Sequence, residues 1–194
     1  MKLLLHVCCA PCSTYTVTKL REQNIDVTGY FYNPNIHPYR EFKKRLDTLK
    51  EFAETIDLPL VTEDDYGLTE YLHKVVFHEK QRCSICYAMR LEKTAEQAAE
   101  TGADAFSSTL LYSRYQKHEN IIATGKKMAD KYGVAFYYED FRQGWQEGID
   151  RAIDMELYRQ PYCGCIYSEQ ERYDNRLKKR LRKERKLAAK AKNS

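Results

Sequence analysis

The stretch Lys2 to Ser13, KLLLHVCCAPCS, decides how the chain is to be read. KLLLHV is a short apolar run with the length of a buried strand, it stops at three cysteines, and Thr14 to Gln23 then carries helical periodicity. Strand, loop and helix in that order open an α/β unit, with the sulfur chemistry on the loop. Open doubly wound sheets often use this loop to cradle a phosphate, through glycines that let backbone N–H groups approach it. CCAPCS contains no glycine, and its Pro11 has no N–H to offer. Thiols therefore occupy the place where a nucleotide phosphate would otherwise sit.

Working outward, Asp26 to Tyr32 (DVTGYFY) reads as a second strand, ended by the turn-rich Asn33-Pro34-Asn35. A long amphipathic helix follows, with Phe42, Leu46, Leu49 and Phe52 on one face, and Leu58 to Thr62 returns as a third strand. Gly67 to Val75 reads as helical. The segment starting near Cys83 continues as a helix through Ile85, Met89, Ala95 and Ala98 to a stop at Gly102, so a CxxC pair opens a helix. Ala103 to Ser107 and Val134 to Tyr138 are the fourth and fifth strands, separated by a helix from His118 to Tyr132 that Gly133 ends. This alternation predicts an α/β fold: an open parallel sheet of about five strands with helices on both faces, right-handed crossovers, and ligands beyond the carboxyl ends of the strands where strand order reverses. From Asp140 the pattern loosens before a final basic helix. At 194 residues with 43% hydrophobic residues, one domain over residues 1–175 and a basic C-terminal helix or tail over 176–194 are expected.

The charge is uneven. Arg176 to Lys192 holds ten Lys and Arg against the single Glu184, whereas residues 1–175 hold 22 basic and 27 acidic side chains. Such a block can neutralise several phosphates and gain from counterion release, which points to RNA or DNA; a solvated helical end is the bland alternative.

All seven cysteines fall in three groups, Cys8/Cys9/Cys12, Cys83/Cys86 and Cys163/Cys165. Thiols one to three residues apart can face one centre, whereas a disulfide framework scatters its half-cystines. No apolar run approaches the roughly 20 residues needed to cross a bilayer, and Leu3 to Leu5 lacks the features of a signal peptide. A cytoplasmic protein with no membrane association is expected, and there thiols stay reduced. Adjacent Cys8 and Cys9 should point in different directions on an extended loop, which suits two neighbouring centres better than one small ion, and seven thiols exceed one four-ligand site. Four can hold a cubane iron-sulfur cluster, and three can hold a second metal with an open, catalytic coordination position. The alternative is a structural zinc site that leaves three cysteines as spectators.

The set HVCCAPCS (His6 to Ser13), FYNPNIHP (Phe31 to Pro38), RCSICYAMRLEKTA (Arg82 to Ala95), FSSTLLYSRYQKHE (Phe106 to Glu119), YEDFRQGW (Tyr138 to Trp145) and LYRQPYCGCIYSE (Leu157 to Glu169) closely resembles the cobalamin-independent epoxyqueuosine reductases. The resemblance covers nearly the whole chain up to the basic tail. It implies a nucleotide-hydrolase-type (HUP-like) α/β fold carrying a 4Fe-4S cluster beside a mononuclear iron. It also implies an activity: reduction of the epoxide of epoxyqueuosine to queuosine at the wobble position of tRNAs with GUN anticodons, those for Tyr, His, Asn and Asp. An electron donor such as ferredoxin or flavodoxin would be the other partner. Some members have an aspartate where this chain has Cys12, which implies that Cys12 serves the single metal; the resemblance leaves Cys8, Cys9, Cys83, Cys86, Cys163 and Cys165 undivided between the centres. Epoxide deoxygenation needs two electrons, two protons and a Lewis acid, which suits such a pair of centres.

Among other residues, Asp140 and Arg142 follow the fifth strand, where a carboxylate can give a proton and a guanidinium can meet phosphate or base; a structural ion pair is the competing reading. His6 reads as a packed core histidine, while His37 and His118 sit in polar stretches, with His118 favoured as a proton donor. Tyr112, Tyr115, Tyr158 and Tyr162 can stack a base, and Tyr158-Arg159-Gln160 combines a ring, a phosphate-binding fork and an amide just before Cys163. A tRNA sulfur-transferase and a zinc-stapled RNA-binding module are the rival functions; the first usually also binds ATP, and the glycine-free loop argues against it.

Overall fold

The structure, a computed structural model, describes residues 1–192; Asn193 and Ser194, the end of the expected basic tail, lie outside the described residues. Five strands pair in parallel in the order β3-β2-β1-β4-β5, with β1 Lys2–His6, β2 Asp26–Phe31, β3 Leu60–Thr62, β4 Ala105–Ser108 and β5 Ala135–Phe136. The central strand β1 is apolar because it is covered on both sides: Leu3, Leu4 and Leu5 are all buried. Each fully buried leucine of this kind contributes about 1.5–3 kcal/mol.

After β1 the chain steps outward to β2 and β3 through α1 Ala10–Glu22 and α2 Tyr39–Thr55, which pack on each other. It then crosses to the other side of β1 for β4 and β5, through α3 Leu68–Val75, α4 Arg82–Thr101 and α5 His118–Tyr132. Right-handed crossovers in opposite directions put α1 and α2 on one face and the packed pair α4 and α5 on the other. Strand order therefore reverses between β1 and β4, where His6 pairs with Ser108. Gly102 and Gly133 end α4 and α5 in the left-handed conformation (φ 67° and 66°), as their sequence positions predict.

Three differences from the sequence reading have local causes. First, α1 begins at Ala10 rather than Thr14, because Pro11 suits the first helical turn, where no N–H partner is needed; Cys9 is its N-cap and Cys12 lies in its first turn. Second, β5 is only Ala135–Phe136, although Tyr137 N still donates to Phe106 O at 2.8 Å. Third, the loosened stretch after Asp140 holds α6 Trp145–Asp154, which packs on α1, and α7 Ile166–Tyr173, which packs on the basic α8 Asn175–Lys192.

One close approach fixes the distant edge. A Cβ at Gly125 of α5 would come within 2.5 Å of the Phe136 ring, and that ring is in turn packed on Phe106 at 5.2 Å between centroids. Overpacking outweighs the helix propensity that alanine adds, so Gly125→Ala is expected to destabilise by about 1–2 kcal/mol, read as a lower urea midpoint at unchanged m-value.

Candidate metal centre

The loop leaving β1 delivers Cys8 to the carboxyl edge of the sheet at the point of strand reversal. There Cys8 N donates to Thr109 Oγ1 at 3.1 Å and the Thr109 hydroxyl lies 3.3 Å from Cys8 Sγ, which ties the loop to the segment just past β4. The Cys8, Cys9 and Cys12 sulfurs all lie within 4.8 Å of one another, and Cys8 Sγ and Cys9 Sγ are 3.7 Å apart. A tetrahedral ion with metal–sulfur bonds of about 2.3 Å needs sulfurs about 3.8 Å apart, the separation of the Cys8 and Cys9 pair, so the trio is close enough to share a single metal. Soft thiolates of this kind suit iron or zinc rather than magnesium or calcium.

The remaining four thiols come from two helix starts. Cys83 and Cys86 lie in the opening turns of α4, Cys165 is the N-cap of α7, and Cys163 precedes it across Gly164, whose φ of 145° excludes a side chain. Burial raises Cys83, Cys86 and Cys163, and nearby Cys165 adds to the rise at each. Cys86 and Cys165 are buried together with Tyr71, Val75 and Met89 in a small apolar cluster of their own.

Hydrogen bonds to sulfur surround both groups. Gln160 Nε2 donates to Cys9 Sγ at 2.9 Å, Gln116 Nε2 to Cys163 Sγ at 3.2 Å, and Arg90 Nη1 to Cys86 Sγ at 3.6 Å. Hydrogen bonding to Cys12 and then Cys9 holds the Cys8 thiol well below its ordinary value, while the same bonds push Cys12 well above it. Burial pushes Cys9 and Cys86 up to about 12 and raises Cys83 as well. The thiolate is the form that ligates metal.

The loop carrying Cys163 is clamped from α2. Arg45 is buried and donates from Nη1 to Cys163 O at 2.9 Å and from Nη2 to Tyr162 O at 3.0 Å, while its Nε meets Glu41 at 2.7 Å. A cavity of about 760 Å³ opens between the two thiol groups, lined by Cys8, Cys12, Cys163 and Arg90 together with Tyr112, Tyr115, Trp145, Arg159 and Gln160. Tyr112 stacks on Trp145 with centroids 5.2 Å apart, and Tyr115, 83% exposed, stands edge-on to the same indole at 5.5 Å. Gly148 permits this arrangement, since a Cβ there would lie 2.3 Å from the Tyr112 hydroxyl, which donates to Trp145 O at 2.8 Å.

The structure divides the other sequence candidates. Arg159 and Gln160 face the cavity, but Tyr158 does not line it: its hydroxyl donates to Glu41 at 2.7 Å and Lys44 covers its ring at 3.8 Å. Tyr162 lines the cavity and its hydroxyl donates to His37 O. Asp140, Arg142 and His118 form a separate cluster outside the lining. Both Asp140 oxygens accept from Arg142, at 2.7 and 2.6 Å, which holds the carboxyl at about 2; His118 Nε2 lies 3.2 Å from the Tyr138 hydroxyl. His37 and His118, which read as residues of polar stretches, are both buried, and His37 sits between the rings of Tyr66 and Tyr71. His6 is a core histidine, as its apolar strand predicts.

Sequence reasoning missed Arg45, Arg90, Thr109, Gln116 and Trp145. Two of these left a signal: Arg45 falls on the apolar stripe of α2 and Arg90 lies one turn beyond Cys86 on the buried face of α4, positions where a solvated arginine does not belong. The other three depend on contacts between distant segments.

A family model described as Epoxyqueuosine reductase QueH matches residues 3–171. The protein of that name from Dehalococcoides mccartyi is 41% identical over 172 residues, covering 89% of this chain and 94% of its own length. The one from Thermotoga maritima is 36% identical over 180 residues, covering 88% and 91%, and the one from Streptococcus pyogenes 36% over 178, covering 86% and 69%. Among solved structures, a chain described as a predicted subunit of tRNA methyltransferase from Methanocaldococcus jannaschii superposes with a TM-score of 0.50 at 12% identity, over 78% of this chain and 74% of that one, a likeness of fold alone. All seven cysteines lie inside the matched span, and the chain belongs to the epoxyqueuosine reductase QueH family.

Proposed function

We propose that the protein is an oxidoreductase that removes the epoxide oxygen of epoxyqueuosine at the wobble position of tRNA, the last step of queuosine biosynthesis. The observation that carries this reading is a family member whose Cys8 and Cys12, from the loop after β1, and Cys163, from a segment about 150 residues on, border one cavity at the sheet's point of strand reversal. Cys8, Cys9 and Cys12 would hold a mononuclear iron, as the closeness of their sulfurs supports, and Cys83, Cys86, Cys163 and Cys165 would hold a 4Fe-4S cluster, whose complement is four thiolates. When bound, the cluster supplies electrons one at a time and the single iron supplies Lewis acidity at an open position.

The chain's own residues do the rest. Gln160 and Gln116 fix the orientation of Cys9 and Cys163, and Arg45 fixes the backbone of the Cys163 loop. Tyr112 and Trp145 form a stacked wall of the cavity, and the exposed Tyr115 offers a face to the everted base. Arg159 and Arg172 at the cavity and Arg114 beside Trp145 meet backbone phosphates, with the basic face of α8 as a further phosphate-binding arm. Asp140, ionised and chelated by Arg142, acts by fixing that guanidinium rather than by giving a proton. Among the described residues no helix is long and apolar enough to cross a membrane; a tRNA substrate and a donor such as ferredoxin or flavodoxin go with a cytoplasmic site of action.

Anaerobically reconstituted protein, given epoxyqueuosine-containing tRNA and a chemical reductant, is expected to yield queuosine by mass spectrometry of the digested nucleosides; a fully loaded protein that leaves the epoxide intact overturns the reading. Cys83→Ala is expected to abolish turnover with loss of cluster absorbance. Tyr115→Ala should lower kcat/KM for tRNA roughly tenfold, the worth of one base–aromatic stack, while iron content stays unchanged. Asp140→Asn should cost at most about 1 kcal/mol, since the ion pair is solvent-exposed. Because the folded carboxyl titrates below its unfolded counterpart, that difference is complete above about pH 4 and fades as pH falls toward 2, which thermal melts across this range will report.

A further inference from the structure

Among the described residues two arginines are buried, and only one of them has a carboxylate partner. Arg45 meets Glu41 at 2.7 Å. Arg90 of α4 is 2% exposed, and no carboxylate among the described residues lies within ion-pair reach of it. Its Nε donates to His6 Nε2 at 3.1 Å and its Nη1 to Cys86 Sγ at 3.6 Å. Since arginine can only donate, His6 carries its proton on Nδ1, 2.8 Å from Ser108 Oγ, and presents a lone pair to the guanidinium. With Nε2 accepting from the guanidinium, the ring holds a single proton and no charge, so it orients the cation without compensating it.

A guanidinium does not shed its proton, and an uncompensated buried charge is among the costliest features a fold can carry. The groups left to balance it are sulfurs. The charge acts on Cys86, Cys8 and Cys163, one from the β1 loop and two from the helix-start group, and the side chain lines the cavity between the two sets. We propose that Arg90 is the shared counter-ion of the two sulfur-ligated centres, held in place by His6, and that its charge raises their reduction potential. A cation beside thiolate-bound iron favours the more negative, reduced state, and hydrogen bonds to sulfur act in the same direction. Arg90 is thereby a positioning residue for electron delivery. The proposal rests on the reading that these thiols bind iron.

The test compares wild type, Arg90→Met and Arg90→Lys after anaerobic reconstitution, with circular dichroism for fold, iron and sulfide per chain for loading, and a redox titration followed by electron paramagnetic resonance. Methionine fills similar volume without charge, a replacement that buried ions often tolerate. Arg90→Met is expected to shift the midpoint potential negative, and Arg90→Lys to restore most of the shift. A loaded Arg90→Met protein with the wild-type potential overturns the proposal, as do equal shifts in the two variants. Should Arg90→Met fail to fold, Arg90→Lys decides alone: full loading supports the role of the charge, and a folded Lys protein that takes up no iron and sulfide overturns it. Wild-type protein that binds no iron or sulfide would instead sink the metal reading itself.

Discussion

The parallel pairing of β1 with β4 is the constraint on which the rest of the structure depends. Because β1 is flanked by β2 on one side and β4 on the other, the loop that leaves it must turn out over the gap between the two crossover directions. No neighbouring crossover fills that gap, so side chains there face open space rather than a packed helix. The Thr109 hydroxyl, one residue past β4, then ties the Cys8 backbone and sulfur to the opposite half of the sheet. Sheet register thus becomes ligand geometry: a slip of one residue between β1 and β4 would send His6 to the other face and separate Cys8 from Thr109.

Three helix starts converge on this region. Cys9 caps α1, Cys83 lies in the first turn of α4 and Cys165 caps α7. Each helix leaves its first N–H groups without partners inside the helix and carries partial positive charge there, an environment that favours anions. Amide donors from Gln116 and Gln160 add to the same field. Thiolates gathered at this edge would repel one another, and the fold answers with fixed dipoles and a buried guanidinium in addition to solvent.

Much of this was legible in the sequence, for physical reasons that differ from element to element. The stripe of Phe42, Leu46, Leu49 and Phe52 marks α2 because a helix on a sheet must bury one face, and Gly102 and Gly133 mark helix ends because few other residues adopt positive φ. The three cysteine groups were legible because their members are close in the chain, but the approach of the Cys8 and Cys9 sulfurs to 3.7 Å was not, since neighbours on an extended loop point apart. Residues that act through partners far away were not: Arg45 seeks the carbonyls of Tyr162 and Cys163, Gln160 seeks Cys9, and Trp145 seeks Tyr112. The start of α1 was read too late because CCAPCS shows no helical periodicity of its own, although Pro11 suits a first helical turn, and His37 and His118 misled because polar neighbours in sequence do not prevent burial in space.

Arg45 bridges α2 to the Cys163 loop, and Gln160 reaches back to Cys9 across a sequence separation of 151 residues. The trio Cys8, Cys9 and Cys12 has a local precursor, but the group of Cys83, Cys86, Cys163 and Cys165 has none. While a ribosome is still extending the chain, Cys83 and Cys86 have no late partners to meet. That group of four can therefore assemble only on a finished polypeptide, so whatever it binds reports completed synthesis rather than guiding it.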